Sequence, residues 1–480
     1  MKSFLFSIIL LTIVQFSSLG QTTVTARIQN YPQKQVFVYR CYGDTLIFVD
    51  STKTDDKGIL KFSFPINNSS AGIYRFNLPR NQWFYILTPK NSNRKTEEIK
   101  INTVFQIDLF NNIASDSLVV VESEQNRMFY RFQSYQQKIA IANAFLKGMM
   151  RQYPLLDPLH PVLVKEWESR FSNAKELYQE ISKNPLKLDT VVHLIASAYY
   201  QPINPDWKIP DNIRDSIIAT HYFDYFNPAN DFYLNTNILP EKIYNYFDLF
   251  SALIRIKRES HTDYELKLTA ASHEFLKHTQ MNAAVHQFCL QFIMKKLDKE
   301  KMYDALYSVY DKWVYTGNVG DCEQTNPSLN QWREKISVLR NIQIGKTAPD
   351  FEIAIEKLNM HKIPADYLLL VFWATWCPHC IGEVPKIKNI VNDFQSKHKG
   401  QTLVPIFISL DNSEIQWKDF VKKNDLENYI HLCDLKGWKG EIVKRFNVFA
   451  TPSMFLLDNE KKIIAKPEDI SKLNNILKSK

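Results

Sequence analysis

Val371-Phe372-Trp373-Ala374-Thr375-Trp376-Cys377-Pro378-His379-Cys380 is the stretch that decides the reading of the last third of this chain. The apolar run from Tyr367 to Trp373 is strand-like, and the two cysteines that follow it, spaced C-x-x-C, open what reads as a helix. That setting separates a redox dithiol from a zinc knuckle.

The thiolate is the attacking form of cysteine, so reactivity follows pKa. A helix N-terminus supplies unpaired N–H groups and a partial positive charge, and both stabilise S⁻. Cys377 falls at that N-terminus. Pro378 suits the first turn, where its missing N–H is no loss. Cys380 lies one turn inside. The expected division of labour is attack by Cys377 and resolution of the mixed disulfide by Cys380. His379, between them, is either a cationic tuner of the thiolate or a solvent-facing spacer. Glu383, three residues past Cys380 on the same helical face, is either the acceptor of the Cys380 proton or a solvated charge. Pro385 is expected to kink the helix. Thr451-Pro452 precedes the apolar run Ser453 to Leu457, a setting suited to a cis bond.

Around the dithiol, the pattern from Ile344 onward is α/β. A strand and the C-x-x-C helix are followed by a strand (Leu403 to Leu410), a helix (Glu414 to Lys423), two strands (Pro452 to Leu457, Lys462 to Ala465) and a last helix (Asp469 to Leu477). Upstream, residues 22–120 look like strands: Gln35 to Tyr39, Thr45 to Val49, Ile59 to Phe64 after the turn Asp55-Asp56-Lys57-Gly58, Ile73 to Leu78 and Trp83 to Thr88. Short strands at this spacing indicate a small β-sandwich. From Ser123 the apolar period becomes helical: Phe129, Phe132, Tyr135, Ile139, Ala142, Phe145, Met149, then Val164, Trp167, Phe171, Ala174, Tyr178 and Ile181. Further helices extend to about 340, broken by the Pro-rich region Gln201 to Pro210. An aromatic stripe there (Tyr222, Phe223, Tyr225, Phe226, Tyr244, Tyr246, Phe247) reads as core in preference to a ligand site. The fold class is therefore multi-domain: signal peptide 1–20, β-sandwich-like domain 21–121, helical domain 122–340 and an α/β domain 341–480.

A chain of 480 residues has room for several domains. Its net charge of +8 is spread out, with no basic stripe and no nucleic-acid motif, so no nucleic-acid partner is expected. Lys2, an apolar run from Phe4 to about Phe16 and the small residues Ser17, Ser18 and Gly20 have the layout of a cleavable signal peptide. An uncleaved membrane anchor is the other reading, although the run is short for a span. Of six cysteines, Cys41, Cys289, Cys322 and Cys433 are scattered and form no disulfide framework. Cys433, in His431-Leu432-Cys433-Asp434, is either a third redox thiol or a half-buried free cysteine. Zinc held by Cys377, His379, Cys380 and Cys433 is chemically possible, but the strand-then-helix setting argues against it. Ile381 after Cys380 rules out the haem-attachment motif. The reading calls for no metal and no cofactor.

The active-site decapeptide resembles that of thioredoxin, and the likeness extends to Pro385, to Phe446-Asn447-Val448 and to Thr451-Pro452-Ser453. It implies a thioredoxin fold, with Pro452 cis and lining a substrate groove beside Trp376 and Thr451. Thioredoxin carries an Asp where this chain has Val371. The TlpA/ResA-like branch instead has C-x-x-C-x-x-E-x-P, which here is Cys377 to Pro385 with Glu383 as the acid. Ile344-Gly345-Lys346-Thr347-Ala348-Pro349-Asp350-Phe351 is similar to the opening of that branch. The layout as a whole resembles a cell-envelope type known from Bacteroidetes, His221-Tyr222-Phe223-Asp224 through Leu239-Pro240 being similar to its middle domain. The resemblance implies a periplasmic thiol–disulfide oxidoreductase acting on exported proteins that bear disulfides, served by a membrane thiol electron donor or acceptor. One departure leaves the direction open. The dipeptide Pro378-His379 is that of the oxidant DsbA, and reduction potentials run from about −270 mV for thioredoxin to about −120 mV for DsbA. An oxidase or isomerase is thus the alternative enzyme. An envelope binding protein whose upstream domains capture the partner is the alternative outside catalysis.

Overall fold

The computed structural model describes residues 21–65, 71–88, 97–105, 116–153, 156–183, 195–198, 211–257, 261–315, 327–353 and 358–479. The expected signal peptide, Cys322 and the whole Pro-rich region Gln201 to Pro210 lie outside them. The chain divides into two compact units, Met1–Val319 and Gly320–Lys480.

The first unit opens with β1 (Gln21–Gln29), β2 (Gln35–Tyr42), β3 (Thr45–Lys53), β4 (Ile59–Pro65), β5 (Gly72–Leu78), β6 (Gln82–Thr88), β7 (Glu97–Val104) and β8 (Val119–Glu122). They form two four-stranded sheets, ordered β4-β1-β7-β8 and β3-β2-β5-β6. Alternation builds the core between them. Val24, Ala26 and Ile28 of β1 point inward with Val36, Val38, Phe76, Phe84, Ile99 and Ile101, and Phe76 stacks on Phe84 with centroids 5.0 Å apart. The turn before β4 is fixed by Asp55, whose Oδ1 accepts from Lys57 N (2.9 Å) and Ile59 N (2.7 Å). Gly58 there has φ +74°, and a Cβ on it would lie 2.4 Å from Ile28 O. β1 and β7 are not among the runs delimited from the sequence. They pair in parallel, Val24 opposite Ile99 and Ala26 opposite Ile101, through a contact that local pattern does not announce.

The helices that follow are α1 (Glu124–Gln152), α2 (His160–Lys183), α3 (Asp211–Thr220), α4 (Ile238–Lys257), α5 (His261–Lys277), α6 (Ala283–Lys299) and α7 (Tyr303–Tyr310). Buried Asn126 ties α1 to the sandwich by copying a peptide group: Oδ1 accepts from Leu87 N and Nδ2 donates to Leu87 O, both at 2.9 Å. Tyr130 does the same with Tyr85, donating to its O at 2.6 Å and accepting from its N at 3.0 Å. An Asn126→Ala chain leaves both polar groups of Leu87 unpaired. The expected cost is about 2–3 kcal/mol, read as faster hydrogen exchange at the Leu87 amide by about thirtyfold or more. Of the aromatic stripe, Phe226, Tyr246 and Phe247 are core, while Tyr225 and Tyr244 are exposed. A cavity of about 620 Å³ opens beside Phe223, Tyr246 and Phe250.

The second unit holds α8 (Pro327–Asn341), β9 (Glu352–Ile353), β10 (Leu358–Asn359), β11 (Tyr367–Trp373), α9 (Pro378–Lys397), β12 (Leu403–Ser409), α10 (Glu414–Lys423), β13 (Ile430–Cys433), α11 (Glu441–Arg445), β14 (Ser453–Leu457), β15 (Ile463–Ala465) and α12 (Ile470–Lys478). α8, read from the sequence as the end of the helical domain, is grouped here. It leads into a segment laced to the far edge of the sheet, with Gly345 N donating to Ile463 O (2.7 Å) and Ile463 N to Lys346 O (2.8 Å). The five-stranded sheet runs β13-β12-β11-β14-β15. β11 is parallel to β12, β12 is parallel to β13, and β14 and β15 are antiparallel additions. Residues 368–373 of β11 are fully buried, as expected for a central strand covered on both faces. α9 buries Cys380, Val384, Ile387, Val391 and Phe394, and continues through Pro385.

Candidate active site

The C-terminal end of β11 and the first turn of α9 present the dithiol. Cys377 is the N-cap of α9, in extended conformation (φ −92°, ψ 112°), followed by Pro378 at the first helical position. Its Sγ accepts from Cys380 N at 3.2 Å, taking the place of the oxygen that caps most helices. On its other side Sγ lies 3.3 Å from Thr451 O, toward which the thiol donates. The Thr451–Pro452 bond is cis. Pro452 follows Thr451 into β14, and both are half-buried beside the dithiol.

The two thiols are pushed apart. Burial raises Cys377, but hydrogen bonds from the Cys380 thiol, the Thr451 side chain and the N–H groups of Cys380 and His379 outweigh it and hold Cys377 below the usual range. Cys380, fully buried, is pushed up to about 12 by burial first and by its bond to Cys377 second. Iodoacetamide at pH 7 should therefore label Cys377 far ahead of Cys380. As pH is lowered, the Cys377 rate should hold until pH passes below the ordinary thiol value. Peptide mass mapping of the labelled chain checks both.

His379 and Pro378 are exposed. What His379 gives Cys377 is its backbone N–H, not its imidazole. Glu383 is half-buried, and its Oε2 is shielded from solvent with no hydrogen-bond partner among the described residues. That oxygen lies one turn beyond Cys380 on the same helix. Trp376 is 49% exposed, and its ring lies 5.8 Å from that of Trp438, itself 44% exposed. Cys433 ends β13 opposite Ser409 and donates to Asp411 O at 3.4 Å. Burial, with lesser effects from Asp411 and Asp434, raises its pKa. Cys41 and Cys289 are buried free thiols, Cys41 pushed up to about 11 by burial. No group of three or more metal-type ligands occurs among the described residues.

Asp411 is absent from the sequence reading. It is buried after β12, and its carboxylate accepts from Thr375 N (3.1 Å to each oxygen), Thr375 Oγ1 (2.6 Å) and Ser409 Oγ (2.7 Å). It thereby fastens the loop that carries Trp376 and Cys377. The partners lie 36 residues apart, so no local spacing gives the pairing away.

A parallel β11–β12–β13 core, antiparallel β14 and β15, and a dithiol capping the helix after the central strand define a thioredoxin-fold thiol–disulfide oxidoreductase. A family model described as thioredoxin-like matches residues 365–463. The thiol-disulfide oxidoreductase ResA of Bacillus thuringiensis subsp. konkukian is 32% identical over 126 residues, 26% of this chain and 68% of that protein. Sporulation thiol-disulfide oxidoreductase A of Bacillus subtilis is 31% identical over 143 residues, 29% of this chain and 78% of that protein. Among solved structures, a thioredoxin-like protein from Bacteroides caccae aligns over 58% of this chain and 98% of its own, with 18% identity and a TM-score of 0.38. The chain belongs to the ResA-like thiol–disulfide oxidoreductases of the thioredoxin family, and it is an enzyme of that class.

Proposed function

We propose that the protein is a periplasmic reductant of exported proteins that bear disulfides. The observation that carries this reading is Cys377 Sγ as helix cap, bonded by Cys380 N and standing at Thr451 O. The Cys377 thiolate attacks one sulfur of the client disulfide, and the other client sulfur leaves as a thiolate. Cys380 gives its proton to Glu383 and attacks Cys377 Sγ, releasing the second client sulfur as a thiolate. The client gains two electrons and, with two protons, two thiols; the enzyme is left with a Cys377–Cys380 disulfide. A membrane thiol donor returns those electrons. Thr451, Pro452 and Trp376 line the groove for the client chain, Pro378 opens the helix, and the His379 N–H helps hold the thiolate.

The envelope location rests on the signal-peptide pattern of residues 1–20; no described helix is long and apolar enough to cross a membrane. Disulfide donation is the second reading, favoured by the Pro378-His379 dipeptide and the lowered Cys377 pKa. The reduction potential separates the two. A value near or below about −250 mV in defined thiol buffers marks a reductant, and one above about −150 mV overturns it in favour of an oxidant.

Glu383→Gln removes the proton acceptor and keeps the shape. Turnover should fall by about tenfold to a hundredfold, with a changed pH–rate profile and an unchanged circular dichroism spectrum. An unaltered profile would reduce Glu383 to a buried structural charge.

A further inference from the structure

The turn Leu410–Asn412 anchors both exposed tryptophans. On one side Asp411 takes three hydrogen bonds from Thr375 and one from Ser409, and so fixes Trp376, the next residue along. On the other, Gly437 packs so closely that a Cβ on it would meet Asn412 Oδ1 at 2.9 Å and Leu410 O at 3.5 Å, with φ at +55°. Trp438 is the next residue. A single turn therefore sets the two rings 5.8 Å apart, Trp376 being the residue before the attacking Cys377. Exposed Lys436 and Lys439 flank Trp438, and neither is in an ion pair among the described residues.

We propose that Trp376 and Trp438 form a specificity clamp, positioned by Asp411. Its occupant is an aromatic or large aliphatic side chain next to the client's half-cystine, with a carboxylate nearby to meet Lys436 and Lys439. This deepens the exchange reading and rests on it for the attack by Cys377. Two half-exposed, tilted rings on a fixed mount form an apolar platform that offers contact with little ordering cost. The chemistry at Asp411 demands a carboxylate. Thr375 N cannot rotate or accept, and it faces both oxygens, so an amide would set an NH₂ against it whichever way it was turned.

The test is single-turnover reduction of two disulfide peptides by the pre-reduced full chain. The peptides are identical, with an Asp two residues from the cysteine, except that Phe or Gly stands next to that cysteine. The native chain should half-saturate at about tenfold lower concentration with the Phe peptide. Trp438→Ala and Asp411→Asn should each bring the two peptides to within about twofold. Should Asp411→Asn fail to fold, Thr375→Val carries the test: the preference should shrink to about threefold, whereas Thr375→Ser, which keeps the hydroxyl, should retain it. No preference in the native chain, or a full preference in Trp438→Ala, would overturn the clamp. A full preference in folded Asp411→Asn, or in Thr375→Val, would overturn the positioning role. Failure of the exchange reading looks different: Cys377→Ser would go on reducing both peptides.

Discussion

Cys377→Ser should abolish insulin-disulfide reduction, with a loss of about a thousandfold or more, while the chain stays folded. Serine is a preferred helix N-cap, so the hydroxyl can take over the bond from Cys380 N and leave the first turn of α9 in place. What disappears is the one sulfur in this site held below the ordinary thiol range. Cys380 cannot stand in, because it is fully buried and raised to about 12. Cys433 is no substitute either, being half-buried, raised in pKa and turned toward Asp411 O. Turbidity of reduced insulin gives the measurement. Full activity in a folded Cys377→Ser chain would end the proposed mechanism.

The second large effect concerns lifetime. Cys380→Ser should leave a client joined to Cys377 in near-stoichiometric yield, seen as a band that dithiothreitol removes on a gel and mapped to Cys377 by mass spectrometry. In the intact enzyme that linkage is short-lived, because Cys380 sits one turn away. Yet Cys380, pushed up to about 12 by burial and by its bond to Cys377, rests as the thiol at pH 7. Resolution therefore needs a proton acceptor, and the unpaired Oε2 of Glu383 is suited to that task. A Cys380→Ser chain that releases clients as fast as the native one would show that resolution comes from elsewhere.

The dithiol was legible because everything that makes it reactive is local. A buried strand, two cysteines one turn apart, and a proline at the first helical position all lie within 14 residues, Tyr367 to Cys380. The strands and helices delimited from period in the α/β domain stand to within one or two residues, and the α10 bounds, Glu414–Lys423, are those read from the sequence; β9, β10, β13 and α11 were not delimited. Asp411 and Trp438 were not legible, since their meaning comes from partners 36 and 62 residues away, Thr375 and Trp376. Asn126 was hidden for the same reason: it reads as an ordinary polar residue near a helix start until Leu87 is beside it. β1 was not delimited although Val24, Ala26 and Ile28 alternate with Thr23, Thr25 and Arg27; its parallel partner β7 identifies it better than its composition does.

That parallel pairing bears on how the protein is made. Thr22 of β1 faces Glu97 of β7, 75 residues later, and a contact so distant is among the slowest to form. The inner strand of the first sheet, paired with β4 on one edge, thus keeps its other edge open until synthesis has passed residue 104. An unpaired strand edge in that interval exposes the nascent chain to aggregation. Substitutions at Ile99 or Ile101 should accordingly reduce how much enzyme accumulates in the cell, while each molecule that does fold exchanges disulfides at the normal rate.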